Sequence, residues 1–403
     1  MPHDTPLPLQ GIRIIEMGSL IAGPFAAKTL GDFGADIIKI EPPEVGDPLR
    51  SWRTVGEETS MWWHVQARNK RSVSIDLRQP QGQALVRELA ATADVVIENF
   101  RPGTLEAWGL DYDTLSASNP GLVMLRISGY GQTGPLRDRP GFGVVAEAMG
   151  GLRHITGSPG QPPVRPGISI GDSLAALHGV IGVLLALYHR AANHGKGQVV
   201  DVALYEAVYN MMEGAVPEFD RHGMVREPSG SSLQGIAPTN AYPCAGGEFV
   251  LIAGNGDAIF RRLMALIGRP DLGHDAELAR NPGRVARADE IDAAIADWTR
   301  RLALDDALAL LASASVPAGR VYTVRDIVKD EHYAARGMLQ TIRLADGSAL
   351  KVPGVVPRLT GTPGRFDGGG PTVGQHTTQV LAALPGMMPE RLAQLRQDGV
   401  VWP

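Results

Sequence analysis

With 403 residues, 44% of them hydrophobic and 20% charged, the chain is long enough for roughly two or three domains with a sizeable core. A net charge of −5 gives no bulk electrostatic reason to expect a nucleic-acid partner. The single cysteine, Cys244, excludes an internal disulfide and a cysteine-rich metal cluster, and points to a reducing compartment, so a cytoplasmic protein is expected. Met1-Pro2-His3-Asp4-Thr5-Pro6 has neither a basic nor an apolar leader region, which argues against a signal peptide. The most apolar run, Val180 to Tyr188, is too short to span a bilayer, so no membrane partner is expected.

In chain order, Ile12–Glu16 reads as a short buried strand, and Gly23-Pro24 opens a helix through Leu30. Asp36–Ile40, Val73–Leu77, Val95–Glu98 and Val123–Ser128 are further strands, with a helical pattern from Gly82 to Ala91 between the second and third of them. Such alternation predicts an α/β fold with a parallel sheet and helices on both faces. From Asp172, apolar residues at Leu174, Leu177, Ile181, Leu184, Leu185 and Tyr188 recur at helical spacing until the polar cluster around Asn193-His194-Gly195. Gln198–Leu204 reads as a strand and Leu204–Met212 as a helix. The texture then changes: two short strands, Asn240–Pro243 and Phe249–Ala253, precede helices at Asp257–Ile267, Ala288–Leu302 and Asp305–Ala312. A large domain over 1–225, a smaller α+β domain over 226–330 and a returning segment over 331–403 are expected. The last contains a hairpin at Asp346-Gly347 and a helical tail from Thr377.

Two familiar signatures are decoys. Gly141-Phe142-Gly143-Val144-Val145-Ala146 matches a dinucleotide fingerprint, but Arg137-Asp138-Arg139-Pro140 stands where the strand should be, so neither nicotinamide nor flavin is expected. Gly167-Ile168-Ser169-Ile170-Gly171 has the form of a nucleophile elbow, yet Pro162, Pro163 and Pro166 break the strand that an elbow needs. No histidine pair has zinc-ligand spacing, and no metal is expected. His178 reads as a packed helix residue, whereas His154, in a loop, is open to a substrate role.

The informative carboxylate is Asp172, which a loop rich in proline and glycine delivers to the first turn of an apolar helix. There it faces unpaired backbone N–H groups and the positive end of the helix dipole, a setting suited to negative charge. It can be a base, a cap or a covalent nucleophile. Arg78 and Arg101, after two strands, stand where open α/β sheets hold ligands and would suit a phosphorylated one.

Together these segments resemble the family III CoA-transferases. The likeness rests on Ala22-Gly23-Pro24, Gly34-Ala35-Asp36-Ile37-Ile38-Lys39-Ile40-Glu41, Asn69-Lys70-Arg71-Ser72 and Val96-Ile97-Glu98-Asn99-Phe100-Arg101-Pro102-Gly103. It continues through Gly129-Tyr130-Gly131-Gln132-Thr133-Gly134-Pro135, Gly171-Asp172 and Gly374-Gln375-His376-Thr377. The resemblance implies a Rossmann-like large domain built from both chain ends, a smaller domain between, and a homodimer of interlocked rings. It implies that CoA passes between an acyl-CoA and a small carboxylic acid, with Asp172 as the nucleophile that forms an anhydride and then an aspartyl-CoA thioester. Coenzyme A contacts would fall on Ile21, Ala22, Arg71, Ile75, Asp76, Leu77, Arg78, Asn99, Phe100, Arg101 and Arg139. Ile21 stands where the oxalate enzyme has glutamine, Pro42 where it has arginine, and its glycine-run loop is replaced by Ser229–Gly235, which puts oxalate in doubt. Ser231, Ser232, Gln234 and Gly235 are expected at the acyl group. Gly150-Gly151-Leu152-Arg153-His154-Ile155-Thr156-Gly157 is similar to the branch acting on succinate, malate, citramalate or itaconate, and Arg153, His154 and Arg165 are candidates for a remote carboxylate. Three alternatives stay open. An α-methylacyl-CoA racemase would need its histidine where Phe142 stands, a serine hydrolase would use Ser169, and a CoA-binding protein would show no turnover.

Overall fold

The computed structural model describes residues 5–53, 59–193 and 195–403, so Met1–Asp4 and His194 lie outside the described residues. Contacts divide the chain into two compact units: Met1–Leu152 with Pro166–Glu213 and Ala335–Pro403, and Arg153–Arg165 with Gly214–Ala334. The second unit is wider than 226–330. Arg226 binds Glu218 at 2.7 Å and the Gly230 N–H reaches the Gly157 carbonyl at 2.8 Å, which ties both flanking segments into it.

In the first unit, β1 (Arg13–Glu16), β2 (Asp36–Glu41), β3 (Lys70–Ile75), β4 (Val95–Glu98), β5 (Val123–Ser128) and β6 (Val199–Ala203) are parallel. Their order is β3-β2-β1-β4-β5-β6, and the C-terminal strand Val401–Trp402 adds an antiparallel edge to β3. This is the mainly parallel α/β sheet that the alternating pattern predicts. The order in which successive strands are added reverses between β1 and β4, the place where doubly wound sheets open a ligand crevice beyond the strands' carboxyl ends.

The helices needed below are α1 (Ala22–Gly31), α2 (Pro80–Ala90), α3 (Thr104–Ala107), α4 (Gly143–Met149), α5 (Ile170–Ala192) and α6 (Leu204–Tyr209). Successive strand residues point to opposite faces. Ile14, Ile37, Val95 and Leu125 pack under α1 and α5. Ile15, Ile38, Val96 and Met124 pack under α2 and the C-terminal Leu381, Leu392 and Leu395. Burial on both faces is why these strands read as largely apolar runs.

Two sequence expectations shift. The third strand begins at Lys70, not Val73, because Lys70 and Arg71 find carboxylates inside the sheet region: Glu16 at 2.7 Å and Asp36 at 2.6 Å. Arg68 lies in the turn just before that strand. It is buried, binds Asp32 with two nitrogens at 2.9 and 2.7 Å, donates to the Pro353 carbonyl at 2.6 Å and stacks on Phe366. The apolar run Val180–Tyr188 is only part of α5, whose 23 residues are long and apolar enough to cross a membrane. That helix instead packs Ala175, Ala176, Gly179, Val183 and Ala186 onto β5 and β6. At Gly179 a methyl group would stand 2.8 Å from Leu125, so glycine sets the close approach.

The second unit has a three-stranded antiparallel sheet of β7 (Thr239–Pro243), β8 (Phe249–Ala253) and β9 (Ala318–Arg320). Its core joins Tyr242, Val250 and Ile252 to α7 (Asp257–Leu266), α8 (Ala288–Thr299) and α9 (Leu304–Ser313) through Phe260, Leu263, Ile291, Ile295 and Leu311. Arg284 is buried there and satisfied by the carbonyls of Ala237, Leu278 and Asn255 and by Asp257.

Candidate active site

Asp172 is the third residue of α5, whose N-cap Ser169 makes no side-chain capping bond. The carboxylate is half-buried and lies against the start of α4. A methyl group built on Gly143 would collide with Asp172 Oδ2, so the carboxylate sits where it does only against a bare backbone. The loop that leads to α4 is positioned from the sheet. Gly129, just after β5, and Gly141 pass so closely that a methyl group on either would sit 2.8 Å from the other's Cα. Asp201 on β6 accepts the Gln132 N–H at 3.0 Å and holds the intervening turn. Hence Gly129–Pro135 and Gly141–Gly143, separate motifs in the sequence, form one loop leading to the Asp172 carboxylate.

Neither decoy has the strand its chemistry requires. No strand precedes Gly141 or Ser169, and Phe142, in the position a racemase gives to histidine, is exposed and titrates no proton. His178 is a packed helix residue whose ring nitrogens lie 2.9 Å from the Leu174 carbonyl and 3.3 Å from Asn210 Oδ1.

At the β1/β4 crevice the structure gathers Ile21, Ala22, Asn99, Phe100 and Arg101. Asn99 clamps the two loops together: its Oδ1 accepts the Ser19 N–H at 2.7 Å and its Nδ2 donates to the Ser19 carbonyl at 2.9 Å. The first turn of α1 has no side-chain cap and no acidic residue, which suits an anion beside Ala22. Arg101 donates to the Asp138 carbonyl at 3.0 Å, and a cleft of about 490 Å³ opens there between Arg101, Thr104, Trp108 and Asp138. Arg139 is exposed in the loop that carries Asp138.

Beneath this crevice, buried Glu98 accepts the Phe100 N–H at 2.7 Å and Arg126 Nε at 2.7 Å, while Arg126 also reaches Glu106 on α3 at 2.8 Å. Burial pushes the Glu98 carboxyl up to about 7, with Arg126 pulling the other way.

Ile75 ends β3, and Asp76, Leu77 and Arg78 form the turn after it, on the carboxyl side of the sheet. Arg78 is 82% exposed and folds back on Asp76, whose carboxyl it holds below the ordinary range by hydrogen bonding. Arg71 departs from the expected grouping. It lies near the amino end of β3, bound to Asp36 at 3.0 and 2.6 Å, so the structure does not bring it to the crevice.

Arg153, His154, Arg165, Ser231, Ser232, Gln234 and Gly235 all belong to the second unit. Within it, His154 Nε2 stands 3.4 Å from Glu227, and Gln234 accepts the Glu227 N–H at 3.3 Å, which places the histidine beside the Ser229–Gly235 loop. Ser231 donates to Asn240 Oδ1, Asn240 donates to Asp292 at 2.8 Å, and Tyr242 donates to the same carboxylate at 2.6 Å. Ser232 turns inward on its own loop, donating to the Ser229 carbonyl at 2.8 Å.

What the linear reading misses is a set of buried charges behind the crevice: Glu16, Lys39, Asp47 and Lys70. Their one sequence signal is a charge inside an otherwise apolar strand, as in Asp36-Ile37-Ile38-Lys39-Ile40.

A family model described as CoA-transferase family III matches residues 9–377. The chain is 47% identical over 397 residues to succinyl-CoA–D-citramalate CoA-transferase of Chloroflexus aurantiacus, covering 98% of each protein. It is 41% identical over 409 residues to the succinyl-CoA–L-malate CoA-transferase alpha subunit of Chloroflexus aurantiacus, covering 99% of this chain and 95% of that one. Among solved structures, a CAIB/BAIF family protein from Brucella suis superposes with a TM-score of 0.83 at 35% identity, over 94% of this chain and all of that one.

Proposed function

The chain belongs to CoA-transferase family III and is a CoA-transferase, and from that premise we propose that it moves CoA from succinyl-CoA to a dicarboxylic acid of the citramalate or malate type. The observation that carries the mechanism is the seat of Asp172: a half-buried carboxylate in the first turn of a long helix, lying directly against the glycine backbone that starts α4.

An Asp172 carboxylate oxygen adds to the thioester carbonyl. The C–S bond breaks, CoA leaves as thiolate, and an aspartyl–succinyl anhydride remains. The thiolate then adds to the Asp172 carbonyl, releasing succinate and leaving CoA on the protein as an aspartyl thioester. The acceptor carboxylate attacks that thioester and expels the thiolate again. Attack of the thiolate on the acceptor's acyl carbon gives the new acyl-CoA and restores the Asp172 carboxylate. No net proton is consumed, and the enzyme's task is to keep CoA and to exclude water from two activated acyl groups. Backbone N–H groups at the starts of α4 and α5 are suited to the oxyanions that form at these carbonyls.

In this reading the crevice from Ile21–Ala22 to Asn99–Arg101, with Ile75–Arg78 and Arg139, holds the CoA moiety. The second unit supplies Arg153, His154 and Arg165 as candidates for recognition of a remote carboxylate. We also propose a cytoplasmic homodimer. Leu177, Ile181, Leu184, Leu185 and Tyr188 of α5 are between 42% and 75% exposed, an apolar stripe that a second copy of the chain would cover.

The test is mass spectrometry after incubation with succinyl-CoA. An adduct on Asp172 that hydroxylamine removes, together with label exchange between free succinate and succinyl-CoA, is expected. Activity that survives Asp172→Ala but is lost in Ser169→Ala would overturn the proposal.

A further inference from the structure

The loop between β1 and α1 has almost no regular structure to satisfy its backbone, and side chains have taken over that task. Lys39 Nζ, buried in β2, donates to the Gly18 carbonyl at 2.8 Å while pairing with Glu16 at 2.9 Å and Asp47 at 2.8 Å. Lys70 Nζ, buried in β3, donates to the Pro24 carbonyl at 2.8 Å and pairs with the other Glu16 oxygen at 2.7 Å. Asp47 accepts the Leu20 N–H at 3.1 Å and the Leu49 N–H at 2.9 Å. Asn99 takes both backbone groups of Ser19.

These four charges are all nearly inaccessible to solvent. Taking an ion pair out of water costs several kcal/mol per ion before its mutual attraction is counted, so a buried tetrad is a poor way to add stability alone. At the centre of the loop Leu20 has φ +65°, a left-handed conformation that a leucine adopts only when its surroundings impose it. The next two residues are Ile21 and Ala22. The expensive feature therefore sits directly under the part of the crevice assigned above to CoA.

We propose that Glu16, Lys39, Asp47 and Lys70 are positioning residues that hold Leu20 left-handed and so present Ile21 and Ala22 to the CoA thioester. This inference rests on the CoA-transferase reading and adds to it a determinant of CoA affinity that touches neither CoA nor the reacting atoms. Because the tetrad acts on the loop and not on Asp172, its loss weakens CoA binding and leaves the acyl-transfer step nearly unchanged.

Two substitutions test it in the full-length protein. Asp47→Asn keeps an oxygen for the Leu20 N–H but removes a charge facing Lys39. Leu20→Ile leaves every charge in place and makes the left-handed conformation costlier, because a β-branched residue adopts it least readily. For both, calorimetric titration with free CoA is expected to show Kd raised about tenfold, equivalent to ~1.4 kcal/mol. KM for succinyl-CoA rises in parallel while kcat stays within about threefold. An Asp47→Asn protein with a lower melting temperature but unchanged Kd and KM would make the tetrad mere scaffold and overturn the inference. If Asp47→Asn does not fold, Leu20→Ile decides, and an unchanged Kd there overturns it equally. A wild-type protein that binds CoA but transfers none would refute the transferase mechanism while leaving this inference standing on Kd; one that binds no CoA would refute both.

Discussion

Replacing Gly143 by alanine separates stability from catalysis at the proposed nucleophile. Gly143 is the first residue of α4 and its φ is not in the left-handed region, so its backbone accepts alanine, which favours a helix over glycine by up to about 1 kcal/mol. The new methyl group, however, would run into Asp172 Oδ2, and the next atoms in its path are the Asp172 Cγ at 3.0 Å and Oδ1 at 3.5 Å. All three belong to the far end of one half-buried side chain, so rotation of the carboxylate relieves the clash and no core packing is lost. The helix gain and the strain roughly offset, and stability is expected to stay within about 1 kcal/mol of wild type, at the low end of overpacking costs. The attacking oxygen meanwhile moves by the order of an ångström, which costs about a hundredfold in rate. Thermal unfolding and steady-state exchange of CoA between succinyl-CoA and labelled succinate measure the two quantities on one sample. Full activity in a folded Gly143→Ala protein would refute the reasoning, because the seat of the Asp172 carboxylate would then not control the chemistry.

Asn99→Ala removes both hydrogen bonds to Ser19 and leaves those backbone groups without partners; free-CoA affinity measured by calorimetry is expected to fall about tenfold, within the ~1–3 kcal/mol such a loss carries. Glu98, raised from 4.5 to about 7, binds more protons folded than unfolded, so its contribution to stability is complete below pH 4.5 and is lost as pH rises through 7. The stability of wild type relative to Glu98→Gln should therefore fall by on the order of 3 kcal/mol between pH 4.5 and 7.5, as read by denaturant titration, and a difference that grew with pH would refute the assignment. Light scattering is expected to give twice the chain mass for wild type, and Leu185→Glu, on the exposed stripe of α5, should convert the dimer to monomer or aggregate; a wild-type monomer would remove the dimer proposal.

Much of the architecture is legible before any coordinate is known, and the residues say why. Val95–Glu98 and Val123–Ser128 are strands at the bounds the pattern predicts, because burial on both faces writes them as largely apolar runs. Asp172 stands out for a similar reason: prolines and glycines mark the loop, and an apolar period marks the helix that follows. Other features have no local signature. Lys39 and Glu16 are 23 positions apart, and Arg68 and Asp32 are 36, yet each pair is in direct contact inside the protein. A charged residue's chemistry depends on the partner within a few ångströms, and chain order carries no such distance. That is why Arg71, motif member and CoA candidate alike, lies against Asp36 at the far end of its strand, and why Gly143, anonymous in a decoy fingerprint, proves to be the seat of the Asp172 carboxylate. Patterning suffices for layers and for the loop that bears the carboxylate; only packing in three dimensions chooses which charges are buried, what they hold, and which backbone the nucleophile leans on.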